Sequence, residues 1–311
     1  LIFSCKDEYP IPDNLDFKQE MRNFVQDLSE YSKNLNSGFF VIAQNGQELI
    51  SIDGENTSSV NETYVSAIDG QGREDLLFGY NSDNEATPTS ERDYILPFLN
   101  LGNDNGVTIL VTDYCSDHVN MDFSYTTNNN YGFISFAADQ RELNNIPNYP
   151  SAVYGVNSAD IFDLSECKNF LYLINPELYS TKQAFIDAVK QTNYDLIIMD
   201  LFFNDGSQFS LSEIQQLQIK QNGGKRLVIS YMSIGEAEDY RYYWQTEWKE
   251  GDPFWIEKEN RNWEGNYIVR YWEQDWKEII VGNDNSYLKK IVDAGFDGVY
   301  LDIIDGYEFF E

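Results

Sequence analysis

A (β/α)8 barrel is the fold that this 311-residue chain predicts. Three observations lead there. Strand and helix signals alternate along the chain, the order of a parallel sheet wrapped by helices. The strand segments are continuous apolar runs, the pattern of strands buried on both faces. Nearly every run ends on a polar or acidic residue, as at the catalytic rim of such a barrel.

The elements follow in order. Residues 16–36 place Phe17, Met21, Phe24, Val25, Leu28 and Tyr31 at helical spacing. Phe39–Ala43 reads as a strand ending at Gln44-Asn45-Gly46, and Tyr64–Ile68 as a second ending at Asp69-Gly70. A polar loop over 80–90 precedes a helix to about Leu101, and Val107–Val111 is a third strand ending at Asp113-Tyr114. An Asn-rich loop then leads to 131–136, a possible extra strand. Residues 147–169, with Pro147 and Pro150, form a connection. The alternation resumes with strand Phe170–Ile174, helix 181–191, strand Leu196–Met199 before Asp200, and helix 211–221 closed by Gly223-Gly224. Strand Leu227–Tyr231, strand Tyr267–Val269, a helix over about 285–294 and strand Val299–Leu301 complete the set. Residues 1–16 are a tail, and 17–311 form one domain. No Gly-x-Gly-x-x-Gly follows a strand, so nothing favours a dinucleotide fold.

Composition narrows function. Lys and Arg total 21 against 52 Asp and Glu, a formal charge of −31. That charge repels a phosphate backbone and excludes nucleic acid as a natural partner. It favours a neutral or cationic one. Aromatic residues make up 15% of the chain, and flat ring faces pack against sugar C–H faces while carboxylates pair with hydroxyls. No run approaches the ~18 apolar residues of a membrane span. Three cysteines and one histidine, His118, do not make a zinc site, and no Gly-x-Ser-x-Gly elbow accompanies that histidine. Residues 1–8, Leu-Ile-Phe-Ser-Cys-Lys-Asp-Glu, match the end of a bacterial lipoprotein signal. Lipid attachment at Cys5 is therefore expected. It gives a secreted or surface lipoprotein whose only membrane contact is the anchor.

The strand ends collect Asn45, Asp69 with Glu74 nearby, Asp113, Asn175, Asp200, Glu236, Arg270 and Asp302. One such acid alone is more often a loop cap or an ion-pair partner. Several acids on one rim raise each other's pKa and supply a protonated acid beside an ionised base. That pair hydrolyses a glycosidic bond without cofactor or metal.

Four motifs carry a family resemblance: YMSIGEAEDYRYYW (231–244), DGVYLDIIDGYEFF (297–310), FVIAQNG (40–46) and DGQGREDLLFG (69–79). They resemble the TIM-barrel domain of glycoside hydrolase family 114, which includes endo-α-1,4-polygalactosaminidases. In that family the part similar to 170–310 comes first and the part similar to 17–146 follows. The chain therefore reads as a circular permutation, with 147–169 as the linker. Leu1 and Glu311 are then expected on the same side of the barrel.

The resemblance implies that Asp302 is the nucleophile or stabilising carboxylate and Glu74 the acid/base. It implies a polysaccharide substrate, with cationic polygalactosamine suited to an acidic cleft. Asp200, Glu236, Asp305, Asn45, Asp69 and Asp113 are candidate contacts to hydroxyl or amino groups. Tyr231, Trp272 and Tyr114 are candidate stacking platforms, and Arg270 would orient a carboxylate. The alternative is a non-catalytic carbohydrate-binding surface lipoprotein on the same scaffold.

Overall fold

The structure, a computed structural model, describes residues 9–311. Cys5 and Leu1 lie outside the described residues. Among the described residues no helix is long and apolar enough to cross a membrane.

Eight parallel strands form the staves of a nearly closed barrel. In chain order the strands are β1 (Phe40–Gln44), β2 (Gly70–Glu74), β3 (Thr108–Tyr114), β4 (Ile134–Ala138), β5 (Phe170–Tyr172), β6 (Leu196–Asp200) and β7 (Leu227–Ser233). Next come β8 (Glu236–Glu238), β9 (Ile256–Glu259) and β10 (Asn266–Val269), and last β11 (Gly298–Asp302). Around the barrel the order is β4-β3-β2-β1-β11-β7-β6-β5. The final stave therefore pairs with the first, Phe40 opposite Gly298 and Ala43 opposite Leu301. The seam lies between β4 and β5, where no ladder is formed. Strands β8, β10 and β9 make a separate antiparallel sheet inserted between β7 and β11.

Helices cover the outside: α1 (Phe17–Leu35), α2 (Glu62–Val65), α3 (Thr89–Asp104), α4 (His118–Tyr131), α5 (Lys182–Lys190), α6 (Leu211–Leu217), α7 (Gln274–Ile280) and α8 (Tyr287–Ala294). Their boundaries have local causes. The Asp16 carboxylate accepts from the Gln19 amide at the start of α1, and Gly295 ends α8 in the left-handed conformation.

Four expectations change. Tyr64–Ile68 is not a strand; it is a short helix and turn, and the stave is the next segment, Gly70–Glu74. That stave is poor in apolar side chains because another residue fills its share of the interior. A Cβ at Gly72 would stand 2.0 Å from the Tyr300 hydroxyl oxygen. The weak segment at 131–136 is a full stave, β4, whereas Tyr267–Val269 belongs to the small sheet. The Asn-rich stretch is helix α4. Its N-cap is Asp117, which accepts from Val119 and Asn120, and burial of Met121, Tyr125 and Asn128 outweighs the poor helix propensity of asparagine.

The start of helix α1 meets the end of the chain. Lys18 Nζ lies 2.5 Å from Glu311 Oε2, and the Phe17 and Phe310 rings stack at 5.4 Å.

Candidate active site

A cavity of about 520 Å³ opens at the C-terminal ends of the staves. Its floor is built from tyrosines that point into the barrel. Tyr172 and Tyr300 meet edge-on with ring centres 5.2 Å apart, and the Tyr172 hydroxyl donates to Gln44 Oε1 at 3.0 Å. The rings fill the volume, and the Tyr172 hydroxyl supplies a polar end to the site above.

Three adjacent staves, β11, β1 and β2, end in the same way. Asp302, Gln44 and Glu74 close them, and each is followed by a non-glycine residue in the left-handed region: Ile303 (φ 58°), Asn45 (φ 56°) and Asp75 (φ 58°). Such a backbone costs about 1–3 kcal/mol per residue, and for β-branched Ile303 it is a true outlier. The turn at Ile303 aims its N–H at Asp302 Oδ1, 2.9 Å away. The neighbouring Gly235 is glycine because a Cβ there would lie 2.3 Å from the Ile303 carbonyl oxygen.

Both carboxylates are held at both oxygens. Tyr231 donates its hydroxyl to Asp302 Oδ2 at 2.5 Å. Gln44 donates its amide to Glu74 Oε2 at 2.6 Å, and the Tyr114 hydroxyl donates to Glu74 Oε1. Gln44 thus stands between the two acids, on the stave between theirs, oriented by Tyr172. Burial, then the charge of Glu74, push the Asp302 carboxyl up to about 8, against the donors Tyr231 and Ile303. Asp305, one turn on, is raised to about 7 by burial and by Glu308. Asp75 is also raised to about 7, by burial and Glu74.

On the opposite wall, Arg241 grips two acids. Its guanidinium contacts both Asp200 oxygens at 2.7 and 2.8 Å, and both Glu238 oxygens at 2.6 and 3.1 Å. Burial alone would lower its pKa; Asp200 and Glu238 instead hold it well above the usual value. This clamp ties the end of β6 to the inserted sheet. Glu236 also faces the cavity and accepts from Asn260 at 2.8 Å; burial raises its pKa.

Among the sequence-predicted residues, the structure gathers Asp302, Glu74, Asp200, Glu236, Asp305, Tyr231, Asn45, Asn175 and Tyr114 around this cavity. Four others lie elsewhere. Asp69 precedes β2 instead of ending it, so it sits at the far mouth of the barrel, paired with Lys33 at 3.0 Å and accepting from the Val41 amide. Asp113 is fully buried behind β3, where its oxygens accept from Leu77, Phe78, Ser124 and Asn128. Arg270 pairs with Glu257 at 2.5 Å and donates to the Tyr9 carbonyl. Trp272 packs against Phe17 and Phe310. The last two follow from assigning Tyr267–Val269 to the barrel.

Sequence reasoning missed Gln44, Tyr172, Glu238, Arg241 and Trp263, all of which line the cavity. Glu238 and Arg241 lie inside the motif 231–244, so a signal was present there. Gln44 and Tyr172 gave none, since each reads as the end of an apolar run.

Residues 170–310 match the family model of glycoside-hydrolase family GH114. An uncharacterised protein of Methanocaldococcus jannaschii is 39% identical over 153 residues, covering 49% of this chain and 42% of the relative. Uncharacterised proteins of Thermotoga maritima and Deinococcus radiodurans are each 36% identical, over 132 and 126 residues, covering 42% and 40% of this chain. Those two matches span 39% and 38% of the relatives' own length. The chain thus covers well under half of each of these relatives.

Proposed function

We propose that this protein hydrolyses an α-linked polysaccharide carrying free amino groups, with Asp302 and Glu74 as the working pair, in the manner of an endo-α-1,4-polygalactosaminidase. The observation that carries this reading is the run of three strained stave ends that present Asp302, Gln44 and Glu74 to one cavity. Strain of this kind persists where the surroundings over-determine it, and it gathers at working sites. The family match over 170–310 is consistent with it.

Charge argues for the substrate class. Eight carboxylates and two guanidinium groups line the cavity, a formal balance of −6. The site shares the acidity of the whole chain, and that charge attracts a cation. A substrate amine has a second effect. In the free site Asp302 holds a proton into the neutral range. A positive charge brought beside it lowers the cost of ionising it. Substrate binding thus frees the Asp302 carboxylate to attack or stabilise the anomeric carbon, and the proton that Asp302 gives up passes to Glu74, which delivers it to the leaving oxygen.

The order of the two halves is that of a circularly permuted family barrel. The match is confined to 170–310, and that stretch supplies four neighbouring staves, β5, β6, β7 and β11.

The test is reducing-end release from α-1,4-linked polygalactosamine, set beside a neutral and an acidic polysaccharide. Turnover of the cationic polymer, lost by about 10³-fold or more in Glu74→Gln with retained binding, is expected. Binding of that polymer without turnover by the wild type would make the protein a carbohydrate-binding module instead.

A further inference from the structure

Beyond the Arg241 clamp lies a second cavity of about 420 Å³. It shares Ile174, Asn175, Asp200, Tyr240 and Arg241 with the first, so the two are halves of one cleft divided by the clamp. Each half falls within the size range of small-molecule sites. Their chemistry differs. The first has a formal balance of −6. The second is lined by only two charged groups, Asp200 and Arg241, which are paired with each other at 2.7 Å.

The rest of the second cavity is aromatic and amide in character. Phe202, Phe203 and Tyr242 supply rings, with Asn175 and Asn204 beside them. Tyr242 is 43% exposed. Its ring is fixed by its hydroxyl, which donates to the Asn285 carbonyl at 3.1 Å, and by edge-on packing against Tyr287 at 5.9 Å. A fixed, half-exposed ring beside amides fits an uncharged pyranose, whose C–H face stacks while its hydroxyl or acylamino groups meet the amides. An ammonium group would find no free carboxylate here.

The geometry points to a second saccharide subsite, centred on Tyr242, that selects an uncharged sugar unit next to the cationic one held at Asp302 and Glu74. The cleft is then matched to a polymer that mixes charged and uncharged units, and the chain runs across the Arg241 clamp from one half to the other. This deepens the function proposed above and rests on it for the identity of the polymer. Its own prediction concerns binding alone.

Calorimetry with α-1,4-linked N-acetylgalactosamine oligomers tests the subsite in the wild type, Tyr242→Ala and Tyr242→Phe. The expected result is a roughly tenfold weaker affinity in Tyr242→Ala, the size of one lost aromatic contact. Tyr242→Phe keeps the ring and its packing on Tyr287 and loses the bond to Asn285, so it should keep most of the wild-type affinity. Fully free-amine oligomers should lose far less in Tyr242→Ala. Equal affinity of wild type and Tyr242→Ala, an equal loss for both oligomer types, or no binding of the acetylated oligomer by the wild type would each overturn the subsite. If no polymer is hydrolysed yet the acetylated oligomer binds and depends on the Tyr242 ring, the catalytic reading fails and the subsite stands.

Discussion

Replacing Asp302 by asparagine should stabilise the protein while abolishing its chemistry. Asparagine is a neutral copy: its amide oxygen can accept from the Ile303 N–H, and its amide nitrogen can donate to the Tyr231 hydroxyl. What disappears is a carboxyl raised from 3.8 to about 8 by burial and by Glu74. Between those two values the folded state keeps a proton that the unfolded chain has released. Stability is therefore fully present below about pH 4 and is lost as pH rises through 8. At about 1.4 kcal/mol per pH unit the gap has a ceiling of roughly 6 kcal/mol. The side chain opens onto a solvent-accessible cavity, which reduces the working value to about 2–3 kcal/mol. Urea unfolding at pH 5, 7 and 8.5 reads it out. Asp302→Asn should exceed the wild type by that amount at pH 8.5 and by little at pH 5. A smaller slope should remain from Asp305 and Asp75, both raised to about 7. In the wild type, kcat/KM should fall with an apparent pKa of about 8, as the free site loses the proton that Glu74 must deliver. Wild-type stability that is flat from pH 5 to 8.5, or an asparagine variant less stable than wild type at pH 8.5, would refute the argument.

Two further substitutions probe the frame of the site. Arg241→Ala leaves Asp200 and Glu238 buried without their cation, so a loss of about 3–5 kcal/mol is expected in chemical denaturation, with Arg241→Lys between it and wild type. Gly72→Ala drives a methyl group to 2.0 Å from the Tyr300 hydroxyl oxygen; it should cost about 1–3 kcal/mol or more, and Tyr300→Phe in the same chain should recover part of the loss.

Much of the fold could be read from residue order. Apolar runs at 40–44, 170–172, 196–200, 227–233 and 298–302 are buried parallel staves because both of their faces meet apolar layers. Stave β2 escaped notice because its interior volume is supplied by Tyr300, more than two hundred positions away in the chain. Helix α4 escaped because the bond from Asn128 to Asp113, not propensity, stabilises an Asn-rich segment. Segment 267–269 was assigned to the barrel because a short apolar run has no feature that separates a parallel stave from a strand of a small antiparallel sheet.

The sequence alone determined that strands and helices alternate and that acids close some of the strands, Glu74, Asp200 and Asp302 among them. Those are local facts, carried by residue type and spacing. Only the tertiary structure decided that the last stave pairs with the first, which sets Asp302 one stave from Gln44 and two from Glu74. It also decided that Asp69 and Asp113 turn away and that Arg241 divides the cleft. Convergence of that kind depends on strand register and on the closure of the barrel, and neither has a signature in the spacing of residues along the chain.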